Sequence, residues 1–440
     1  MPDLFFDKKY ETIPLKKLRK IEIELLKKQL DYIIKNSSFY KKKYRSEGLT
    51  KRIKFQDVFL QLPLTSKKEL LEDQAEHSPF GSNLSVNKSA ISRVHRTSGT
   101  SGTPLFIALT KKDVQTTVNT GGRCFWSSGL RQEDLVVHCL NYCLWTGGYT
   151  DHQSLEVTGA GVIPYGTGNS SALIETILKL KANAIHCTPS YLIKLEVLLR
   201  EEFKMSPIEL GLKKGFFGGE LGMQNSGYRK EIEKKWGIKA MNANYGLSDA
   251  LSMFGAECQK RTGLHFHGNG VLLAELIDPT TKENLAIEKG CIGELVLTNL
   301  EKEAQPLIRY RTHDIIRIID HNPCSCGRTG FRFEIIGRSD DMIVVKGVNV
   351  FPSAIAEIIS EFPEFSYPEF QIRLNAPPPV NELNILIECK AELLANAETL
   401  IDKIVHKMKN KLYIYPKIQL VEEGSLPRTE GKTKRVIKLY

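Results

Sequence analysis

Along residues 13–46 the apolar positions recur at helical spacing, with Leu18, Ile21, Leu25 and Ile33 separated by lysines. This pattern predicts an amphipathic helix that ends near Gly48. Residues 105–200 have a different rhythm. Short apolar runs (Leu135 to Leu140, Ala160 to Pro164, Ala184 to Cys187) alternate with helical stretches (Lys111 to Ser127, Ser170 to Lys181, Tyr191 to Phe203). That alternation predicts a layered α/β domain. Past residue 270 come short β runs, Val271 to Ile277, Cys291 to Leu297, Ile315 to Ile319 and Phe331 to Ile336, which suggest a smaller, mainly β unit. After Gly337-Arg338-Ser339-Asp340 the texture changes again. Two short strands flank Gly347, then a helix follows (Pro352 to Glu361), two strands (Glu369 to Leu374, Glu382 to Cys389), a helix (Leu394 to Leu412) and a last strand (Lys417 to Glu422). The expected class is α/β: a large N-terminal domain of layered α/β subdomains plus a small β unit, residues 1–339, with a mobile α+β C-terminal domain, residues 340–440.

Composition changes this picture little. The 440 residues are 41% hydrophobic and 25% charged, as in ordinary globular proteins. No run of about 18 apolar residues predicts a membrane span, and no signal peptide is read at the N-terminus. The nine cysteines are expected to be reduced thiols of a cytoplasmic protein. Charge is uneven: residues 1–72 hold 18 Lys and Arg against 10 Asp and Glu, whereas residues 341–440 hold 13 of each. A basic segment can steer nucleic acid, CoA or an acidic carrier protein. The lysines lie between apolar residues without aromatic interleaving, so a solvated helical face is favoured and no nucleic-acid partner is expected.

Four motifs carry chemistry. In Ser98-Gly99-Thr100-Ser101-Gly102-Thr103 every residue is glycine or a hydroxyl carrier, a composition that can wrap phosphate oxygens. Asn244-Tyr245-Gly246-Leu247-Ser248-Asp249, preceded by Gly218-Gly219-Glu220, offers a ring for a flat ligand and a carboxylate for Mg²⁺. Tyr310-Arg311-Thr312-His313-Asp314 places a carboxylate at a strand edge, where it could hold two ribose hydroxyls. Gly431-Lys432-Thr433-Lys434-Arg435 offers a lysine to stabilise developing charge. Taken singly, each is also an ordinary loop, cap, ion-pair cluster or basic tail.

Their joint order, together with Gly337-Arg338-Ser339-Asp340-Asp341-Met342, resembles the adenylate-forming superfamily. Leu62-Pro63-Leu64-Thr65, Gly147-Gly148, Thr188-Pro189-Ser190-Tyr191 and Val348-Asn349-Val350-Phe351-Pro352 make the chain more similar to the phenylacetate–CoA ligase family. The resemblance implies ATP-dependent activation of a carboxylic acid and thioester formation with CoA. It implies that Ser98 to Thr103 hold phosphates, and that Gly219, Glu220, Asn244, Tyr245 and Gly246 line the adenine pocket. It further gives Asp314 the ribose, Arg338 the ribose and hinge, Asp340 the hinge, Gly347 the CoA tunnel, and Lys432 and Asp249 catalytic roles. Asp249 stands where the family usually has Glu, His313 replaces the common Gly or Arg, and Thr103 stands where Lys is frequent. A homodimer is compatible with this reading.

Cys324 and Cys326 share a turn, and Cys258 and His265 lie upstream. The resemblance marks matching Cys and His positions, and three thiolates with one imidazole suit structural Zn²⁺. His267 is a competing ligand. The acyl pocket is expected from Asn141 to Gly148, Pro189 to Tyr191 and Phe216 to Gly219, with Tyr142, Trp145, Tyr191 and Gly218 as substrate-binding residues. No lone Asp or Lys stands out there, so an aryl or arylacetic acid is expected. Two rivals remain at this point: transfer of the acyl group to a carrier-protein thiol or an amine, and a weakly active nucleotide-binding scaffold, which the shorter Asp249 keeps open.

Overall fold

A computed structural model describes residues 3–46, 59–97, 103–220, 222–365, 369–395, 397–427 and 435–440. Ser98, Gly99, Thr100, Ser101, Gly102 and Lys432 therefore lie outside the described residues. The chain forms two compact units. One comprises Met1–Gly218, Gly237–Thr312 and Ile316–Glu334; the other comprises Gly219–Trp236, His313–Ile315 and Ile335–Tyr440.

The first unit opens with α1 (Leu15–Asn36) and α2 (Ser38–Ser46). The sequence predicts one helix here, and the structure breaks it at Ser37, which is extended. The Ser37 hydroxyl accepts the Tyr40 N–H at 3.3 Å and donates to Asn83 at 3.1 Å. A side chain that caps a helix start competes with helix continuation. Leu26, Leu30 and Ile33 of α1 then pack with Tyr40 and Tyr44 of α2.

A hairpin follows, β1 (Ile91–Arg96) with β2 (Phe106–Thr110). Next comes α3 (Lys111–Ser128), started by a Thr110–Asp113 capping box and stopped by Gly129 at φ 102°. The remaining elements are β3 (Leu135–His138), α4 (Thr146–Glu156), β4 (Gly161–Ile163), α5 (Ser170–Leu180), β5 (Ala184–Cys187), α6 (Pro189–Leu198), β6 (Lys214–Gly218) and β7 (Lys239–Leu247), of which β3, β4, α5, β5 and α6 match the expected runs and α4, β6 and β7 were not read from the sequence. All four residues of β5 are buried, as in a strand covered on both faces.

Further along come β8 (Leu251–Glu257), β9 (Leu264–Phe266), β10 (Leu272–Ile277), β11 (Asn284–Leu285), β12 (Ile292–Asn299), β13 (Tyr310–Asp320) and β14 (Arg332–Arg338), of which the runs behind β10, β12, β13 and β14 were expected as a smaller, mainly β unit of the N-terminal domain. Instead they extend the same sheet. Its order is β11-β10-β12-β13-β14-β9-β8-β7-β6-β5-β3-β4. β4, β3, β5, β6 and β7 run parallel, and β7 pairs antiparallel with β8. Thus β7 joins a parallel half to an antiparallel half. The Asp249 loop is a tight turn between β7 and β8 rather than a strand-to-helix connection.

In the second unit β15 (Ile343–Val345) and β16 (Val348–Val350) form a hairpin. Its turn residues Lys346 and Gly347 both have positive φ, 47° and 85°, the geometry of a tight two-residue hairpin loop. Helices α7 (Ser226–Trp236), α8 (Pro352–Ser360) and α9 (Ala397–Leu412) belong to this unit. Its sheet runs β19-β18-β17-β20, from β17 (Phe370–Leu374), β18 (Asn384–Cys389), β19 (Lys417–Glu422) and β20 (Val436–Lys438). The sequence pattern gave no sign of β20. Three residues are too few for periodicity, and parallel pairing of Val436 with Ile372 makes them a strand. Ile355, Ile359, Ile372, Ile385 and Ile404 form the middle of the core. Among the described residues, no helix is long and apolar enough to cross a membrane.

Candidate active site and metal centre

Strands β1 and β2, which lie on either side of Ser98 to Thr103 in the sequence, have Arg96 with Phe106 as their last registered pair. Thr97 continues this pairing: its N–H donates to the Leu105 carbonyl at 2.9 Å, and its hydroxyl accepts the Leu105 N–H at 3.0 Å. Thr103, the one described residue of the motif, is exposed.

The Tyr-Gly-Leu-Ser-Asp motif ends β7. Gly246 is required by close backbone approach, since a Cβ there would lie 1.8 Å from the Ser252 carbonyl oxygen. The Tyr245 ring meets Phe254 and Phe333 edge-on at 5.1 and 5.5 Å. The Asp249 carboxylate is buried. It accepts from the Tyr310 hydroxyl and lies 3.8 Å from Lys67 Nζ. Lys302, a buried lysine, donates to the Asp249 carbonyl at 2.7 Å; burial pushes its amine down to about 8. Tyr310 thus orients the carboxylate that the sequence reading offers to Mg²⁺, an oxygen ligand suited to that cation.

The expected acyl wall is built around α4. A Cβ on Gly148 would lie 2.1 Å from the Asn141 carbonyl oxygen and 2.6 Å from Tyr142 Cα, so the Tyr142 loop can close onto the helix only at glycine. Tyr142, Trp145 and Tyr191 are half-buried. Two of these rings are tethered by their hydroxyls: Tyr142 to His152 Nδ1 at 3.0 Å, and Tyr191 to the Ser170 hydroxyl at 2.9 Å. His152 Nε2 in turn lies 3.1 Å from Glu156. Beneath them His138 and His186 stack at 4.9 Å, with Nδ1 atoms 2.9 Å apart. Burial holds both rings neutral, His138 pushed down to about 4.

Sequence reasoning found no isolated acid in this wall. The structure supplies one, Asp151, on α4 and fully buried. Its carboxylate accepts from Asn244 Nδ2 and from the Ser252 hydroxyl, the latter at 3.0 Å. Asn244 packs on Gly218, where a Cβ would lie 2.4 Å from Asn244 Cβ. Asn244, expected with the adenine residues, is therefore joined to two parts of the acyl wall. The i, i+4 spacing of Gly147 and Asp151 was the available signal, but polarity alone does not announce burial.

In the second unit Arg338 ties together Asp314 and Asp340, the residues expected at the ribose and at the hinge. Its guanidinium meets Asp314 at 2.9 Å and grips both Asp340 oxygens at 2.9 Å. His313, at φ 62°, has its Nδ1 3.0 Å from the Ser339 hydroxyl. Asp314 lies inside β13 rather than at its edge. Gly219 has φ +81°, a conformation that favours glycine, and Glu220 follows it half-buried.

The ligand atoms of Cys258, His265, Cys324 and Cys326 all lie within 4.8 Å of one another. Cys326 Sγ is 3.7 Å from His265 Nε2, close to the ligand separation of a tetrahedral zinc site with metal–ligand bonds of about 2.0–2.3 Å. Backbone N–H groups of Lys260 and Cys326 point at Cys258 and Cys324 sulfurs, at 3.4 and 3.5 Å, the donors a thiolate would use. The hydrogen bond from His265 lowers Cys324 to about 6, and the one from Cys326 lowers Cys258 to about 7. His267 lies outside this set. The sequence reading missed the brace beside it: Arg328 pairs with buried Glu11 at 2.6 Å and caps the Phe5 ring at 5.2 Å.

Residues 347–439 match the family model of the AMP-binding enzyme C-terminal domain. A phenylacetate–coenzyme A ligase of Thermus thermophilus is 31% identical over 99% of this chain and 100% of its own length. The phenylacetate–coenzyme A ligase of Escherichia coli is 32% identical over 98% of this chain and 96% of its own. Among solved structures, 2-hydroxyisobutyryl-CoA ligase in complex with 2-HIB-AMP superposes with a TM-score of 0.89 at 29% identity, covering 99% of this chain and 93% of that one.

Proposed function

The chain belongs to the phenylacetate–coenzyme A ligase family of AMP-forming acid–CoA ligases, and we propose that its acid is a small aromatic or arylacetic carboxylic acid. The reaction proceeds through an acyl-adenylate: the carboxylate displaces pyrophosphate from ATP, and the CoA thiol then displaces AMP. The observation that supports an aromatic acid is the wall of Tyr142, Trp145 and Tyr191. With the Tyr142 and Tyr191 hydroxyls held by His152 and Ser170, those two rings are fixed in place and can sandwich a flat substrate.

The residue roles are proposals of the same reading. Ser98 to Thr103 hold phosphates, and Gly219, Glu220, Tyr245 and Gly246 serve the adenine. Asp249, oriented by Tyr310, meets the Mg²⁺ that accompanies ATP. Asp314 takes the ribose, and Arg338 links that residue to the hinge at Asp340. Gly347 belongs to the CoA passage after a domain movement. Lys432 stabilises the charge that builds on the α-phosphate. Cys258, His265, Cys324 and Cys326 hold one structural Zn²⁺, which would fix a turn with little core of its own.

The test is a hydroxylamine-trapping screen of aryl, arylacetic, hydroxybenzoic and aliphatic acids with ATP. Aromatic acids are expected to lead, and faster trapping of aliphatic acids would overturn the proposal. Lys432→Ala is expected to slow adenylation by about 10²–10³; an unchanged rate would remove that role.

A further inference from the structure

Asp151 and Asn244 are wedged between two glycine segments of the proposed acyl wall. A Cβ on Gly147 would lie 3.3 Å from Asp151 Oδ2, and one on Gly218 would overlap Asn244. Asp151 Oδ1 receives the Ser252 hydroxyl, and Oδ2 receives the Asn244 amide N–H. Burial pushes the Asp151 carboxyl up to about 8, with the two hydrogen bonds pulling the other way. When the group is protonated on Oδ1, beside Ser252, Oδ2 remains an acceptor.

An asparagine amide has one donating and one accepting end. Because Asp151 Oδ2 takes the donating end, Asn244 Oδ1 is turned the other way. Among the described residues no hydrogen bond engages that oxygen, although Asn244 is half-buried. An acceptor in this position needs a donor once solvent leaves the pocket. A wall of aromatic rings alone would have no use for it.

Resting on the reading of this wall as the acyl pocket, we propose that Asn244 Oδ1, held outward by Asp151 and Ser252, accepts a hydrogen bond from an O–H or N–H substituent of the acid. The enzyme then selects a hydroxy- or amino-substituted acid over its unsubstituted parent. Asn244 is the contact, and Asp151 is the positioning residue. Sites built to hydrogen-bond a substrate group reject analogues that lack it far more strongly than apolar pockets reject size changes.

ATP–pyrophosphate exchange on the full chain tests this, using benzoate and phenylacetate beside their ring-hydroxy, ring-amino and methoxy derivatives. At least one hydroxy or amino isomer is expected to exceed its parent by about 10²-fold or more in kcat/KM, and the methoxy analogue to behave as the parent does. Asn244→Leu is expected to bring that ratio towards unity. Asp151→Ala, which removes the acceptor that holds the Asn244 amide, is expected to lower the ratio by about 10-fold. A purely structural role would weaken both acids alike and leave the ratio intact. If the parents match every derivative, or the ratio survives in both variants, the inference falls while the aromatic reading stands. If no aromatic acid supports exchange, that reading falls and takes the inference with it.

Discussion

The metal knuckle and the acyl wall are both buried polar clusters in one unit, yet they are closed in opposite ways. At the knuckle four potential ligand atoms converge within 4.8 Å, three of them sulfurs, the donor set proposed for zinc. At the acyl wall the polar atoms pair off, Tyr142 with His152, Tyr191 with Ser170, and Asp151 with Asn244 and Ser252. The Asn244 acceptor is left over, and the buried Thr146 hydroxyl and His186 Nε2 also have no partner among the described residues. Four donor atoms brought to one point suit a metal, whereas paired groups with an open acceptor suit an organic ligand.

The comparison breaks most visibly at the knuckle. Cys324→Ser or Cys326→Ser is expected to remove about one zinc per chain and to cost at least about 4 kcal/mol of stability. Elemental analysis and thermal unfolding read both; a metal-free wild type that folds normally would show that the thiols need no ion. Arg328→Ala strands the buried Glu11 carboxylate and should cost roughly 3–5 kcal/mol in a denaturant titration. A loss below about 1 kcal/mol would mean that the N-terminal segment is not braced there.

The acyl wall should respond to pH instead. Asp151 is raised in the folded chain from 3.8 to about 8. The unfolded chain therefore releases this proton at lower pH than the folded one. Stability is drained as pH rises through that window. Asp151→Asn should flatten this slope, so that the variant gains on the wild type at pH 9 relative to pH 5. Parallel melting curves at both pH values would contradict the assignment. The smallest effect is expected from His152→Ala, which frees the Tyr142 hydroxyl. About 1 kcal/mol of positioning would be lost, a several-fold rise in the KM of the acid with little change for ATP; an unaltered KM would show that the tether is idle.

Much of the fold was legible because the alternating runs of residues 105–200 follow strict periods: the expected Ala184 to Cys187 strand is β5 itself, and Lys111 to Ser127 is nearly all of α3. The misreadings share a cause. Ser37 breaks a helix through a hydrogen bond to Asn83, 46 positions away. Strands β8 to β14 join the parallel sheet through β7, a pairing that local pattern does not encode. Strand β20 exists through its neighbour β17. The candidate site divides in the same way. Cys324-Ser325-Cys326 places two potential donors in one turn that the sequence itself displays. Asp151 looks like any helix-surface aspartate until Asn244 and Ser252 arrive from 93 and 101 positions further along.

The sequence by itself determined the longer periodic elements, the family and the donor types available, since these depend on residue identity and short-range spacing. Only the tertiary structure decided which carboxylate is buried, which way an amide is turned and which acceptor stays open. Burial and hydrogen-bond partnership are set by neighbours that the chain brings together from far apart, and they fix the chemistry that a side chain presents.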